Sequence, residues 1–303
     1  MEFFSHTLAI PFMRQRYLAA GFSFLIFIAS LFALFHHGLN LGLDFTGGTQ
    51  IAVQLKAPTD LSALQTRLVN AGFAQASIRS YSATELSIRI APHAELSQDA
   101  LRAALIAAIP QAEIGQFDYI GPQVSQQLMS NGILAIIVAL VGTMIYITLR
   151  FDYRFAASAA VALIHDPVLI LGVFAYTHLE FNMIVLTAIL TVIGYSLNDT
   201  IVVYDRIREN FRRLRKMTSP EVVDLSINQT LSRTIMTSGL TLIVVIALFY
   251  LGGETVHGFS LALIIGILVG TYSSIYIAGS LAIVFGLTRD NFLRKKEDDD
   301  SAP

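Results

Sequence analysis

Six apolar runs, each close to the ~20 residues a helix needs to cross a bilayer, constrain this chain more than any other feature. They occupy residues 17–35, 132–149, 155–177, 184–204, 235–251 and 259–287. The fifth is short unless it extends back through Thr234 and Arg233. Composition agrees: 54% of the residues are hydrophobic and 14% charged, against about 25% charged in a soluble domain. The chain reads as a multispan helical membrane protein with one modest polar domain. No cysteine is present, so disulfides, thiolate metal sites and a cysteine nucleophile are excluded. The basic residues are scattered rather than massed, which gives no footprint for nucleic acid.

Lysine and arginine placement predicts the topology. Arg14 and Arg16 precede the first run, and Arg150 and Arg154 separate the second from the third. Arg206, Arg208, Arg212, Arg213, Arg215 and Lys216 follow the fourth, and Arg289, Arg294, Lys295 and Lys296 follow the sixth. The short loops 178–183 and 252–258 contain neither residue type. Both termini are therefore expected in the cytoplasm and the polar stretch outside. The first run is too long for a signal-peptide core, and no clean small-x-small site follows it, so it reads as a retained anchor. The expected organisation is a cytoplasmic N-terminus (1–16), a first span (17–35), an outer domain with its connections (36–130), five further spans (131–288) that include a cytoplasmic basic loop (205–232), and a cytoplasmic tail (289–303) that reads as a solvated, disordered end.

The outer domain alternates element types. Residues 49–55, 76–81, 85–90 and 112–120 read as strands, while 60–71 and 97 or 98 to 109 carry helical spacing. The order βαββαβ predicts a small α+β ferredoxin-like sandwich. His93 stands alone and nothing in the domain looks catalytic. Asp44-Phe45-Thr46-Gly47-Gly48-Thr49 follows the first span. It reads as a turn, since Asp caps backbone donors and the two glycines permit positive φ; it also reads as a stiff hinge between helix and domain.

Ionisable groups within the spans are costly, at least ~2.5 kcal/mol for a carboxylate at a helix centre, so each is a candidate for function. Asp199 lies in the fourth run. Thr187, Thr191, Tyr195 and Asp199 recur every four residues, with Asn198 beside them, and such a stripe is expected to face other helices. Counting from Ile184 places Asp199 in the cytoplasmic third. Arg233, Thr237 and Thr241 repeat at the same interval in the fifth run, with Arg233 at roughly the depth of Asp199. Arg233 reads equally as a partner for that acid or as a group snorkelling to the interface. His165-Asp166-Pro167 sits mid-span in the third run, where Pro167 is expected to kink the helix. It reads as a packed structural pair, as the lining of a polar cavity, or as a second proton group. Gly266 and Gly270 form a small-xxx-small packing face, and Ser219-Pro220-Glu221 looks like a new helix start that orders a cytoplasmic helix.

No P-loop and no H-E-x-x-H occurs, and Gly194-Tyr195-Ser196-Leu197-Asn198 misses the G-x-S-x-G pattern. An enzymatic role, a metal and a cofactor are thus not expected. Energy is expected from a membrane potential, a proton gradient or a partner.

Four motifs together carry a resemblance: Gly42-Leu43-Asp44-Phe45-Thr46-Gly47-Gly48-Thr49; His165-Asp166; Gly194 to Thr200 with Asp205-Arg206-Ile207-Arg208-Glu209-Asn210; and Ser232-Arg233-Thr234 through Thr237-Ser238. With six spans and an outer domain after the first, the chain resembles the SecF family of bacterial export subunits, within the resistance-nodulation-division superfamily. The resemblance implies half of a twelve-helix transporter, made with SecD in the inner membrane. It implies work beside the SecYEG channel, with YajC and YidC as further partners, on translocating preprotein and among membrane lipids. It implies that the proton gradient drives late steps of export, with Asp199 and Arg233 at the positions linked to proton flow. Two rival readings stand beside it: half of a proton-coupled exporter of small molecules or lipids, and an intramembrane aspartyl protease using Asp166 and Asp199.

Overall fold

The computed structural model describes residues 10–57, 60–73, 76–80, 82–91, 103, 105–107, 109 and 112–289. They divide into a smaller unit, residues 41–134, and a larger one holding the remainder. Helix α1 (Arg16–His37) follows a 3-10 turn at Phe12–Gln15. The smaller unit contributes α2 (Leu43–Thr46) and α3 (Leu61–Asn70). Then come α4 (Pro122–Arg150), α5 (Tyr153–Thr177), α6 (Met183–Arg213) and α7 (Ser219–Leu251). The last apolar stretch forms α8 (Glu254–Tyr272), a π-helical segment (Ser273–Ala278) and α9 (Gly279–Val284). Among the described residues, six helical stretches are long and apolar enough to cross a membrane.

Helices α6 and α7 outrun the apolar runs that announced them, whereas the sixth run, expected to reach residue 287, leaves helix after Val284. Helix α6 continues through the basic cluster to Arg213, where Glu209 pairs with Arg206 and Arg213, both at 2.9 Å. Such i,i+3 and i,i+4 pairs support a helix after its hydrophobicity has ended. Ser219-Pro220-Glu221 opens a helix as expected, and that helix is α7 itself. Thr218 and Glu221 form a reciprocal capping box there, with Pro220 in the first turn. The expected basic loop 205–232 therefore shrinks to the non-helical residues 214–218. Helix α5 runs without interruption through Pro167.

In the larger unit, about half of the most apolar 18-residue stretch of α5, of α6 and of the final span is buried (56%, 50% and 50%), against 17% of that stretch in the first span and in α7. Glycines set the close approaches. A Cβ on Gly266 would fall 2.2 Å from Val192 Cγ2, and one on Gly270 would fall 2.9 Å from Ser196 Cβ. The small-xxx-small face thus seats α8 directly against α6. A Cβ on Gly172 would meet Ser30 Cβ at 2.3 Å, which brings α1 onto α5 in the same way.

The smaller unit is a four-stranded sheet of β1 (Gly48–Leu55), β2 (Ser77–Ser80), β3 (Glu85–Ile90) and β4 (Ala112–Ile120), in the order β2-β3-β1-β4 with antiparallel neighbours. Ile51 pairs with Ile88 and Val53 with Leu86, and the β1–β4 register shifts between Ile51 and Val53. Period-two alternation turns Ile51, Val53, Leu86, Ile88 and Ile90 to one face, where Leu64 and Leu68 of α3 cover them. Asp60 caps α3 by accepting from the Ser62 backbone N–H at 3.0 Å. Of the helix expected up to 109, Ala103 and 105–107 are helical, and Leu105 and Ile109 join the core. The remainder of that helix, His93, and Arg294, Lys295 and Lys296 of the tail lie outside the described residues.

Candidate functional site

The two acids flagged in the spans occupy different surroundings. Asp166 of α5 is 1% exposed, and both its oxygens are engaged. Oδ1 lies 3.0 Å from His165 Nδ1. Oδ2 accepts from Ser196 Oγ of α6 at 2.5 Å and from Ser273 Oγ, the first residue of the π segment, at 2.8 Å. His165 is stacked against Phe27 of α1, with ring centroids 6.0 Å apart, and its Nε2 is buried without a partner. Sequence spacing singled out His165 and Asp166 but neither Ser196 nor Ser273 as their partners, because contacts across three helices leave no local pattern.

Asp199 of α6 is 4% exposed, and its Oδ2 is buried with no hydrogen-bond partner among the described residues. Ser238 of α7 is the hydroxyl that faces its carboxylate, and Arg233 acts on it through charge. The two do not form a contact ion pair; among the described residues none joins them within 4.0 Å. Ser238 is held in turn by Thr271 of α8, with oxygens 2.9 Å apart, and by the Tyr195 hydroxyl, which donates to Ser238 and to Thr241 at 3.5 Å. One polar layer thus runs across α6, α7 and α8 at the level of Asp199.

The α6 stripe, expected to face other helices, divides within this chain. Asp199 is buried and Tyr195 half-buried against α7, but Thr187, Thr191 and Asn198 are exposed. The threonines are satisfied within their own helix: Thr187 Oγ1 donates to the Met183 carbonyl and Thr191 Oγ1 to that of Thr187, at 2.9 and 2.8 Å. On α7, Arg233 and Thr237 are exposed on the neighbouring face, with Thr237 Oγ1 donating to the Arg233 carbonyl at 3.0 Å. The two acids share no partner: Ser196 and Ser273 hold Asp166, whereas Asp199 faces Ser238 and Arg233. A single water clasped by both carboxylates, as an aspartyl protease requires, has no support in this arrangement.

The Asp44–Thr49 motif is a helical turn followed by two left-handed glycines. Helix α2 ends at Thr46, whose hydroxyl donates to the Gly42 carbonyl at 3.1 Å. Gly47 has φ +66° and Gly48 φ +113°, and a Cβ on Gly48 would stand 2.4 Å from the Ile90 carbonyl oxygen. Both conformation and space therefore demand glycine there. Thr49 then enters β1, 3% exposed.

A bundle of long apolar helices with intramembrane acids, attached to a small α/β unit behind a double-glycine turn, defines a class of membrane transport subunit. Residues 101–288 match the family described as "Protein export membrane protein SecD/SecF, C-terminal", and residues 32–59 match "SecD/SecF GG Motif". The protein translocase subunit SecF of Vibrio alginolyticus is 46% identical over 290 residues, covering 94% of this chain and 92% of that one. The SecDF subunit of Brucella abortus is 39% identical over 284 residues, 92% of this chain and 37% of that longer one. The crystal structure of SecDF, a translocon-associated membrane protein from Thermus thermophilus, superposes with a TM-score of 0.86 at 34% identity, over 93% of this chain and 39% of that one. The chain belongs to the SecD/SecF family of protein-export membrane proteins. It is a multi-pass subunit of Sec protein export in the bacterial inner membrane, a transport component.

Proposed function

We propose that this subunit couples a transmembrane proton gradient to preprotein export through Asp199, which takes up and releases the proton beside Arg233. The observation that carries the reading is the buried Oδ2 of Asp199, left without a partner while a guanidinium charge and a hydroxyl stand alongside. Burial favours the neutral acid and the guanidinium favours the carboxylate, so a group under both influences switches on small helix movements. A carboxylate already locked in a contact ion pair would resist protonation more strongly; the open arrangement leaves a site for the proton or for water. Each proton that crosses gains ~2.3 kcal/mol per 100 mV, enough to bias a two-state rocking motion. Asn198 and Thr237 line the site, and His165 and Asp166 belong to its supporting core.

The same reading extends to partners. Asn198, Arg233 and Thr237 expose polar groups where a lone six-helix half would meet lipid, which favours a second helical half over this face. SecD is that half, as the fused SecDF relatives suggest. The SecYEG channel, YajC and YidC complete the assembly, and the outer unit handles preprotein after it emerges. The lysine and arginine distribution supports a topology with both termini in the cytoplasm and residues 36–130 outside. Sheet order β4-β1-β3-β2, with antiparallel neighbours, supports a ferredoxin-like outer domain. The Asp44, Gly47, Gly48 and Thr49 turn would serve as its hinge. The test is gradient-driven export by Asp199→Asn in vesicles. Assembly with SecD at normal levels and loss of the gradient-dependent part is the expected result; full gradient-dependent export by that variant refutes the role.

A further inference from the structure

Asp166 is not needed as a proton carrier in this scheme, yet its surroundings are too specific for filler. Its Oδ2 collects hydroxyls from two other elements, Ser196 of α6 and Ser273 at the head of the π segment, while Oδ1 faces its neighbour His165. Ser196 is also packed closely on α8, since a Cβ on Gly270 would come within 3.1 Å of its Oγ. The serine thus meets both the Asp166 carboxylate and the bare backbone of α8. Three residues separate Ser196 from Asp199, less than one helical turn and about 4.5 Å of rise, so fixing one fixes the height and rotation of the other. The Thr200 hydroxyl donates to the Ser196 carbonyl at 3.2 Å and binds the same turn again.

The tie also anchors an unusual stretch of backbone. π turns inside α-helices are uncommon and concentrate at functional sites. Here the π segment opens at Ser273, whose hydroxyl reaches both Asp166 Oδ2 and, at 3.2 Å, the Gly270 carbonyl. Thr271, two residues earlier, holds Ser238, the hydroxyl that faces Asp199. Asp166 therefore reaches the proton site by two routes, through Ser196 on the helix of the acid and through Ser273 on the helix that supports Ser238.

We infer that Asp166 is a positioning residue for export: its carboxylate clamps α5, α6 and the π segment together and thereby sets where Asp199 stands against Ser238 and Arg233. This rests on the reading of Asp199 as the proton-binding acid. The clamp works through hydroxyls, so it can be loosened without removing any ionisable group.

The experiment uses the full chain assembled with its partner subunit in lipid vesicles. Infrared difference spectra on a pH step are recorded for the unaltered protein and for Asp199→Asn, Ser196→Ala, Ser273→Ala and Asp166→Asn, and export is measured on the same vesicles. The carboxyl band that disappears in Asp199→Asn is expected to change frequency in both serine variants and in Asp166→Asn. Gradient-driven export should fall by about tenfold in Asp166→Asn, the effect of losing roughly one hydrogen bond to a charged group. A carboxyl band unmoved in both serine variants overturns the positioning role. So does a band that vanishes in Asp166→Asn while Asp199→Asn retains it, because Asp166 would then be the titrating group. A spectrum unaffected by either aspartate variant overturns the underlying proton reading, by a signature distinct from the other two.

Discussion

Asp166 and Asp199 are both buried acids on neighbouring spans, and burial alone would rank them together. Their partners separate them. Asp166 is saturated, its carboxylate accepting from two serine hydroxyls and facing an imidazole. Asp199 keeps an empty oxygen and meets its cation through space rather than by contact. A saturated carboxylate holds helices in place, whereas an unsaturated one is held in place by them. The comparison teaches that the cost of a charge in a membrane marks importance, while the count of its hydrogen bonds marks the kind of importance.

The largest expected effect is functional. Asp199→Asn should abolish gradient-dependent export without loss of membrane-inserted protein, measured by transport into vesicles alongside quantitative blotting. Stability should order the two acids the other way. Asp166→Ala strands the Ser196 and Ser273 hydroxyls and should cost about 2 kcal/mol, read as a lowered thermal midpoint in detergent. Asp199→Leu removes a buried carboxylate with an unpaired oxygen and should leave that midpoint unchanged or raise it. If both lower it equally, the distinction fails. Gly270→Val presses on Ser196 and should disturb the clamp at an overpacking cost of about 1–3 kcal/mol, with export falling in parallel.

Arg233→Lys keeps a charge but loses the planar fork, and should weaken export while insertion stays normal. The smallest effect belongs to the outer unit. Hydrogen bonds from Ser62 hold the Asp60 carboxyl below its ordinary value of 3.8. Its contribution to α3 is therefore fully present above that value and lost as pH falls below it. Hydrogen exchange at the start of α3 should quicken on acidification in the unaltered protein and show a smaller change in Asp60→Asn.

How far the sequence carried these conclusions differs between the two sites. Each apolar run marks one helical stretch, the sixth overrunning its helix by the three residues after Val284, because lipid-length hydrophobicity is a local signal. Helix ends were not legible in the same way: α6 persists to Arg213 through Glu209 pairing, and α7 starts at a capping box beyond the apolar run. Hydropathy is blind to both. The strands at 85–90 and 112–120 were legible from alternation. Asp199 and Arg233 stood out because charges in apolar runs are conspicuous. Ser196, Ser273 and Thr271 did not, because a serine or threonine in a span is ordinary and gains meaning only from the helix opposite. The α6 threonines carry as little local signal, because each hydroxyl bonds a carbonyl of its own helix whatever lies opposite.

The extreme start of the described chain has its own consequence. Ile10 exchanges two hydrogen bonds with the Asn228 side chain, at 3.0 and 2.9 Å, and the Met13 backbone N–H donates to Asp224 at 2.8 Å. These bonds join residues more than two hundred positions apart, at the beginning of α1 and the first turns of α7. During synthesis the turn ahead of α1 lacks these partners until the chain has been made past residues 224 and 228 of its 303. Helix α1 can already lie on α5 through Ser30 and Gly172, but its leading turn stays untied until α7 is made, and a polypeptide cut short before residue 224 would keep that turn loose, a mark by which unfinished copies differ from complete ones.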